Sequence, residues 1–166
     1  MTEKQQQNNE QEEVSLYNKI ISRTEELLES GRKNLDDALK KAGDELSAAG
    51  HFTREQSEKI SAYVKRDIQN AVNNAGKAKE NLKDAVTPMR VAAGAQSLFS
   101  KILSSTAETL SEWAKKSEQQ LEFKTGEVTS PGTLTCKNCM EEIHMKKTAR
   151  IPPCPRCHQT LFRKSY

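Results

Sequence analysis

Aromatic residues make up only 5% of this 166-residue chain, and hydrophobic residues reach 34% against 30% charged. That balance excludes a large core or a thick sheet sandwich and favours a slender helical assembly. No apolar run approaches the roughly 20 residues of a membrane span, so no membrane insertion is expected. The N-terminus reads Met1-Thr-Glu-Lys-Gln-Gln-Gln-Asn-Asn9 and has no apolar stretch of the secretory kind. A soluble, cytoplasmic protein is the expectation. Histidine is scarce, with three residues in all. None lies in a predicted helix, and the one Glu-x-x-His spacing is Glu141 to His144, so a di-iron centre in the helices lacks its ligands. No Ser/His/Asp set and no phosphate-binding glycine loop appear. Glu25-Glu26 and Asp36-Asp37 read as solvated helix faces, and His51 as a loop residue. The chain is therefore predicted not to be an enzyme. No internal repeat is evident.

Cysteine is equally scarce, but its placement is informative. The four cysteines form two pairs, Cys136-Lys-Asn-Cys139 and Cys154-Pro-Arg-Cys157, with fourteen residues between them. Two Cys-x-x-Cys turns supply the ligand set of a tetrahedral zinc site. Each turn places two sulfurs on one side of a tight backbone knuckle. Cys136, Cys139, Cys154 and Cys157 are thus the predicted ligands of one structural Zn2+. Four cysteines leave no open coordination position, which excludes a catalytic zinc. A thiol-redox pair needs a βαβ setting that is absent here. A rubredoxin-type iron uses the same four thiolates and stays open as an alternative. His158 follows Cys157 directly, and His144 lies on the intervening strand.

The fold class expected is mainly α: a long antiparallel helical hairpin or three-helix region, followed by a small C-terminal β zinc ribbon. Residues 1–12 are Gln/Asn/Glu-rich and read as a disordered tail. Residues 13–123 form the helical, coiled-coil-like domain, 124–133 a linker and 134–166 the ribbon. From Tyr17 to Leu46 the apolar residues recur near a 3.6-residue period, which predicts one nearly straight amphipathic helix with Gly31 as a weak point. Gly50 reads as a stop. Thr53-Arg-Glu-Gln56 has capping-box spacing and starts a second helix with Ile60, Val64 and Ile68 on its buried stripe. Thr87-Pro88 starts a third, carrying Leu98, Phe99, Ile102, Leu103, Leu110, Trp113 and Leu121. Around the cysteines, Ile143 and Met145 alternate with Glu142, His144 and Lys146, a strand period. A ribbon this small cannot support itself by burial alone, so metal must provide most of its stability.

Charge is unevenly spread. From Lys124 onward there are eight Lys/Arg against three acids, while the preceding residues carry eighteen against twenty. The basic tail either meets nucleic acid or an acidic protein face, or is a solvated surface that offsets a tetrathiolate centre.

With these residues in view, the chain resembles the YbeL-like bacterial zinc-ribbon family, whose function is uncharacterised. The likeness is strongest at Gly126-Glu-Val128, Leu134-Thr-Cys-Lys-Asn-Cys139, the fourteen-residue gap, and Cys154-Pro-Arg-Cys157 with Phe162 beyond. It extends to Gly50-His-Phe-Thr-Arg-Glu55, Lys65-Arg-Asp67 and Leu110-Ser-Glu-Trp113. The family often has Gly after the last cysteine, where this chain has His158. The resemblance implies a helical N-terminal region, a zinc ribbon and a bacterial cytoplasmic setting, and it implies no activity.

Three functional readings follow. The first is a non-enzymatic zinc-binding protein whose ribbon presents a surface to a protein partner, with the helices pairing with that partner or with another copy in a homo-oligomer. The alternative is nucleic-acid binding, in which Lys137, Lys146, Lys147, Arg150, Arg156, Arg163 and Lys164 contact phosphates and Phe162 or Tyr166 stacks on a base. The third is rubredoxin-like electron transfer through iron.

Overall fold

A computed structural model describes residues 3–32, 34–50, 52–81, 102 and 121–165. Three helices come first: α1 (Glu3–Glu29), α2 (Leu35–Ala48) and α3 (Arg54–Asn81). The helix expected to run unbroken from Tyr17 to Leu46 is therefore two helices. Gly31 is the reason. It sits at φ +102°, in the left-handed region that costs glycine nothing. The Arg32 N–H reaches the Leu27 carbonyl at 3.2 Å and the Gly31 N–H reaches that of Leu28 at 3.1 Å, the paired bonds of a Schellman ending. Asn34 then caps α2, its side chain accepting from the Asp36 and Asp37 amides. The apolar period continues across the break, which is why periodicity alone reads it as one helix. α1 also reaches back to Glu3, where composition predicted a disordered tail. Glu13, the residue just after that segment, is tied down by Lys59 at 3.0 Å and Arg150 at 2.5 Å. The capping box before α3 forms as predicted, with the Gln56 amide on the Thr53 hydroxyl and the Thr53 amide on the Gln56 side chain.

The three helices pack pairwise around one apolar cluster. Leu16, Tyr17, Ile20 and Ile21 come from α1, Leu35, Ala38 and Leu39 from α2, and Ile60, Val64 and Ile68 from α3. Gly43 allows close approach of α2 to α3, since a Cβ there would lie 3.0 Å from the Ser61 Oγ. Of the predicted third helix, Thr87 onward, only Ile102 and Leu121 fall within the described residues. Ile102 is helical and fully buried in the helical cluster. Trp113 and the other members lie outside the described residues.

Six strands follow: β1 (Phe123–Lys124), β2 (Val128–Thr129), β3 (Gly132–Cys136), β4 (Glu142–Met145), β5 (Ala149–Arg150) and β6 (Leu161–Ser165). One antiparallel sheet has the order β1-β6-β3-β4, and β2 pairs with β5 in a second. The segment 124–133 is thus not a linker. It supplies β2, the end of β1 and the start of β3, and Val128 enters the helical core. These two-residue strands are too short to carry a period. A second apolar cluster, Phe123, Leu134, Ile151 and Phe162 with Cys136 and Cys154, fills the ribbon.

Candidate metal centre

The two knuckles repeat one local structure. Cys136 ends β3, its N–H bonded to the Glu141 carbonyl at 2.8 Å, and the Met140 N–H returns to the Cys136 carbonyl at 3.1 Å. In the second knuckle the Cys154 N–H bonds the Gln159 carbonyl at 3.0 Å, and the His158 N–H returns to the Cys154 carbonyl at 2.9 Å. Met140 (φ 61°) and His158 (φ 58°) both occupy the left-handed region. This is the position where a glycine is cheapest, and His158 takes the turn without one. His158 is exposed, and His144 bonds the Thr133 hydroxyl on the sheet surface at 3.1 Å. Neither histidine belongs to the sulfur cluster.

All four sulfurs lie within 4.8 Å of one another. Across the knuckles, Cys136 Sγ is 3.6 Å from Cys157 Sγ, and Cys139 Sγ is 3.5 Å from Cys154 Sγ. A tetrahedral ion about 2.3 Å from each sulfur needs sulfurs about 3.8 Å apart, so the set fits one. These separations are far beyond the about 2.05 Å of a disulfide. Cys136 and Cys154 are buried and their partners half-buried. As free thiols the four hold one another's charge in check. The Gln159 amide, opposed by burial and helped by the neighbouring thiols and Asn138, brings Cys157 down to about 6. The Glu141 amide also favours the Cys139 thiolate, but burial and the other three thiols outweigh it and push that thiol up to about 12. Held as thiolates, four sulfurs this close would repel one another without a cation among them, and an ion bound by all four would serve a structural role.

The ribbon is fastened to the helices by a buried polar cluster. Asp67 of α3 and Lys164 of β6 face each other at 3.5 Å, with both side chains fully buried. Asp67 also accepts from the Tyr17 hydroxyl at 2.5 Å, the Thr129 hydroxyl at 2.9 Å and the Ser130 amide at 2.7 Å. The Lys164 ammonium donates to the Thr129 hydroxyl and the Ser130 carbonyl, each at 2.8 Å, and to the Ser130 hydroxyl at 2.6 Å. Asn70 bonds the Lys164 carbonyl at 3.2 Å, and Arg66 pairs with Glu127. Burial raises the Asp67 carboxyl, but Lys164, Arg66, the Ser130 amide and Tyr17 outweigh it and hold it below its usual range. Burial lowers Lys164 to about 8 against the pull of Asp67, so its charged form prevails at neutral pH.

The structure places the seven predicted phosphate contacts very differently. Lys164 is withdrawn from solvent and committed to Asp67. Arg150 is paired with Glu13, and Lys137 with Glu122 at 2.7 Å. Arg156 lies 3.9 Å from Glu141. Lys146, Lys147 and Arg163 remain exposed. Phe162 is fully buried and is no base-stacking platform. Tyr166 lies outside the described residues. Sequence reasoning gives Asp67, Tyr17, Thr129 and Ser130 no role in a site: Asp67 enters only within the Lys65-Arg-Asp67 likeness, and Tyr17 only on the apolar stripe. One signal is present: on a strand, Lys164 shares a face with Phe162 two residues earlier.

A pair of two-cysteine knuckles on a small antiparallel sheet, docked on helices, defines a protein with a four-cysteine cluster able to hold a metal ion. The chain belongs to the zinc-ribbon containing domain family, which it matches over residues 22–165. It is 23% identical over 152 residues to the uncharacterized protein YbeL of Escherichia coli K12, covering 89% of this chain and 92% of that one. The same figures hold for the proteins of that name in E. coli O6:H1 and O157:H7. No solved structure matches the chain. Among the described residues, no helix is long and apolar enough to cross a membrane.

Proposed function

We propose that this is a non-enzymatic zinc protein in which one structural Zn2+, held by Cys136, Cys139, Cys154 and Cys157, stiffens a ribbon that serves as a protein-interaction module. The observation that carries the metal part is the cluster of four sulfurs at tetrahedral spacing in two matching knuckles. Bound there, zinc supplies rigidity and no reactivity, because four thiolates leave it no open position. The interaction part is supported by the docking of the ribbon on the helices, which fixes one face inward and presents the other as a defined surface.

The nucleic-acid reading has less to draw on. Burial or pairing of Lys164, Arg150 and Lys137 leaves Lys146, Lys147, Arg163 and Arg156, the last 3.9 Å from Glu141, as its exposed cations. Crosslinking in bacterial cells, with identification of both bound protein and bound nucleic acid, tests the choice. Reproducible protein partners support the proposal, and recovery of nucleic acid alone overturns it. Metal analysis of protein purified without chelators should give one zinc per chain. Iron with visible absorbance would favour electron transfer instead.

A further inference from the structure

β4 is an edge of the four-stranded sheet, and among the described residues its ladder is with β3 alone. The register fixes which backbone groups face outward. The Cys136 N–H bonds the Glu141 carbonyl, and the same ladder pairs Leu134 with Ile143 and Gly132 with Met145. In an antiparallel pair the N–H and C=O of one residue point the same way, and successive residues alternate. Glu141, Ile143 and Met145 therefore face β3. Glu142 and His144 turn their backbone groups to the open edge, and continuing the strand adds Lys146.

Charge changes sign along this edge. Glu141 and Glu142 stand at one end, Lys146 and Lys147 at the other, and Ile143-His144-Met145 lies between. A guarded edge commonly carries charge of one sign, which repels its own copy. This one is complementary to itself when read in the opposite direction.

We propose that β4 pairs antiparallel with β4 of a second copy of this chain, about a twofold axis at His144, joining two sheets into one. Centring on His144 sets Glu142 against Lys146 of the second copy, Glu141 against Lys147, and Ile143 against Met145. The hydrogen-bonding phase agrees, because His144, Glu142 and Lys146 are the residues whose backbone groups face outward. Centring on Glu142 or Lys146 sets like charges against each other at the axis, and centring on Ile143 or Met145 opposes no Glu to a Lys. Glu142, Lys146 and Lys147 are exposed, so the Glu142–Lys146 pairs form without repacking, while Glu141 meets Lys147 by turning from Arg156, 3.9 Å away. A strand pair of this length buries less than the roughly 1,200 Å² of a standard interface, so the dimer forms only as concentration rises. The inference rests on the interaction reading above and names a partner for it.

Sedimentation of the metal-loaded full chain from about 10 µM to about 1 mM spans the affinities such a contact reaches. Wild type should pass from monomer toward dimer. Glu142→Lys and Lys146→Glu should each weaken association at least about tenfold, and an equimolar mixture of the two should restore it to within about threefold, since opposite charges stabilise facing strand pairs. His144→Pro removes an outward N–H, leaves the β3 ladder intact, and should abolish the dimer. Metal content and far-ultraviolet circular dichroism establish that each variant keeps its ribbon. A wild type that stays monomeric throughout, or single reversals that associate as tightly as wild type, or a mixture no better than either variant alone, overturns the proposal. A monomer that still crosslinks to other proteins in cells removes the second copy as partner and leaves the interaction reading standing.

Discussion

Replacing Lys164 by Met tests whether the ribbon is locked to the helices by charge. Met keeps the length and apolar stem of lysine but removes the ammonium. Asp67 then stays fully buried, with Tyr17, Thr129 and the Ser130 amide as donors and Arg66, at 3.5 Å, as its remaining cation. Breaking a buried ion pair from one side costs about 3–5 kcal/mol when the remaining charge is uncompensated, and Arg66 places the loss toward the lower end of that range. A domain of this size loses about 2–4 °C in Tm per kcal/mol, so a fall of roughly 6–20 °C is expected. Helical circular dichroism during thermal and urea unfolding of the metal-loaded protein measures it.

The pH dependence should also weaken. In the wild type the Asp67 pKa lies below its unfolded value. Its stabilising contribution is therefore present above about pH 4 and is lost as pH falls through the depressed folded value. In Lys164→Met the largest charge opposing burial is gone while Arg66, the Ser130 amide and Tyr17 remain, so the folded pKa rises from its wild-type position. Protonation of Asp67 then costs the folded variant less than it costs wild type, so the gap between variant and wild type narrows as pH falls into the carboxylate range. A loss under about 1 kcal/mol, the size of an exposed ion pair, would refute the buried lock. So would a gap that widens in acid.

Three further outcomes are expected. Cys139→Ser should abolish stoichiometric metal binding and disorder the ribbon, read by metal analysis and by loss of amide protection across β3 and β6; an ordered, metal-free ribbon would contradict the structural role of the ion. Gly31→Ala forces a Cβ into the left-handed turn between α1 and α2 and should cost about 1 kcal/mol or more in urea unfolding, whereas a gain would mean the helix break is not maintained. Asn34→Ala removes the cap of α2 and should cost about 0.5–2 kcal/mol in the same assay.

Features decided within a few residues are legible in the sequence. The Cys-x-x-Cys spacing specifies the knuckles, and Thr53 with Gln56 specifies the start of α3, because each partner lies three residues away. The break at Gly31 is harder to read. Leu27, Leu28, Leu35 and Ala38 all enter the same core, so their period continues across a reversal set by one backbone angle. Lys164 misleads for another reason. Its counter-charge is 97 residues away on α3, and nothing local to β6 announces a buried acid. Thr129 and Ser130 look like turn residues and are fully buried, because their hydroxyls serve that same pair.

One strand links the metal centre to the helices. On β6, Phe162 stands opposite Cys136 in the ribbon core, and Lys164 reaches Asp67 of α3. Two residues along a strand span roughly 7 Å, so both anchors sit on one short rigid segment. The alternation of the strand points both inward, while Leu161, Arg163 and Ser165 face solvent. A slip of one residue would bury Arg163 or Ser165 in place of Lys164 and strand Asp67. The ion pair thus specifies the register in which β6 meets β3, and that register brings Phe162 beside the Cys136 knuckle. Metal loss that loosens β6 must then weaken the Asp67 contact as well. Chelation should therefore lower amide protection around Tyr17 and Asp67 as well as at the cysteines. Protection lost only within the ribbon would mean that the helices hold Lys164 without the help of the metal.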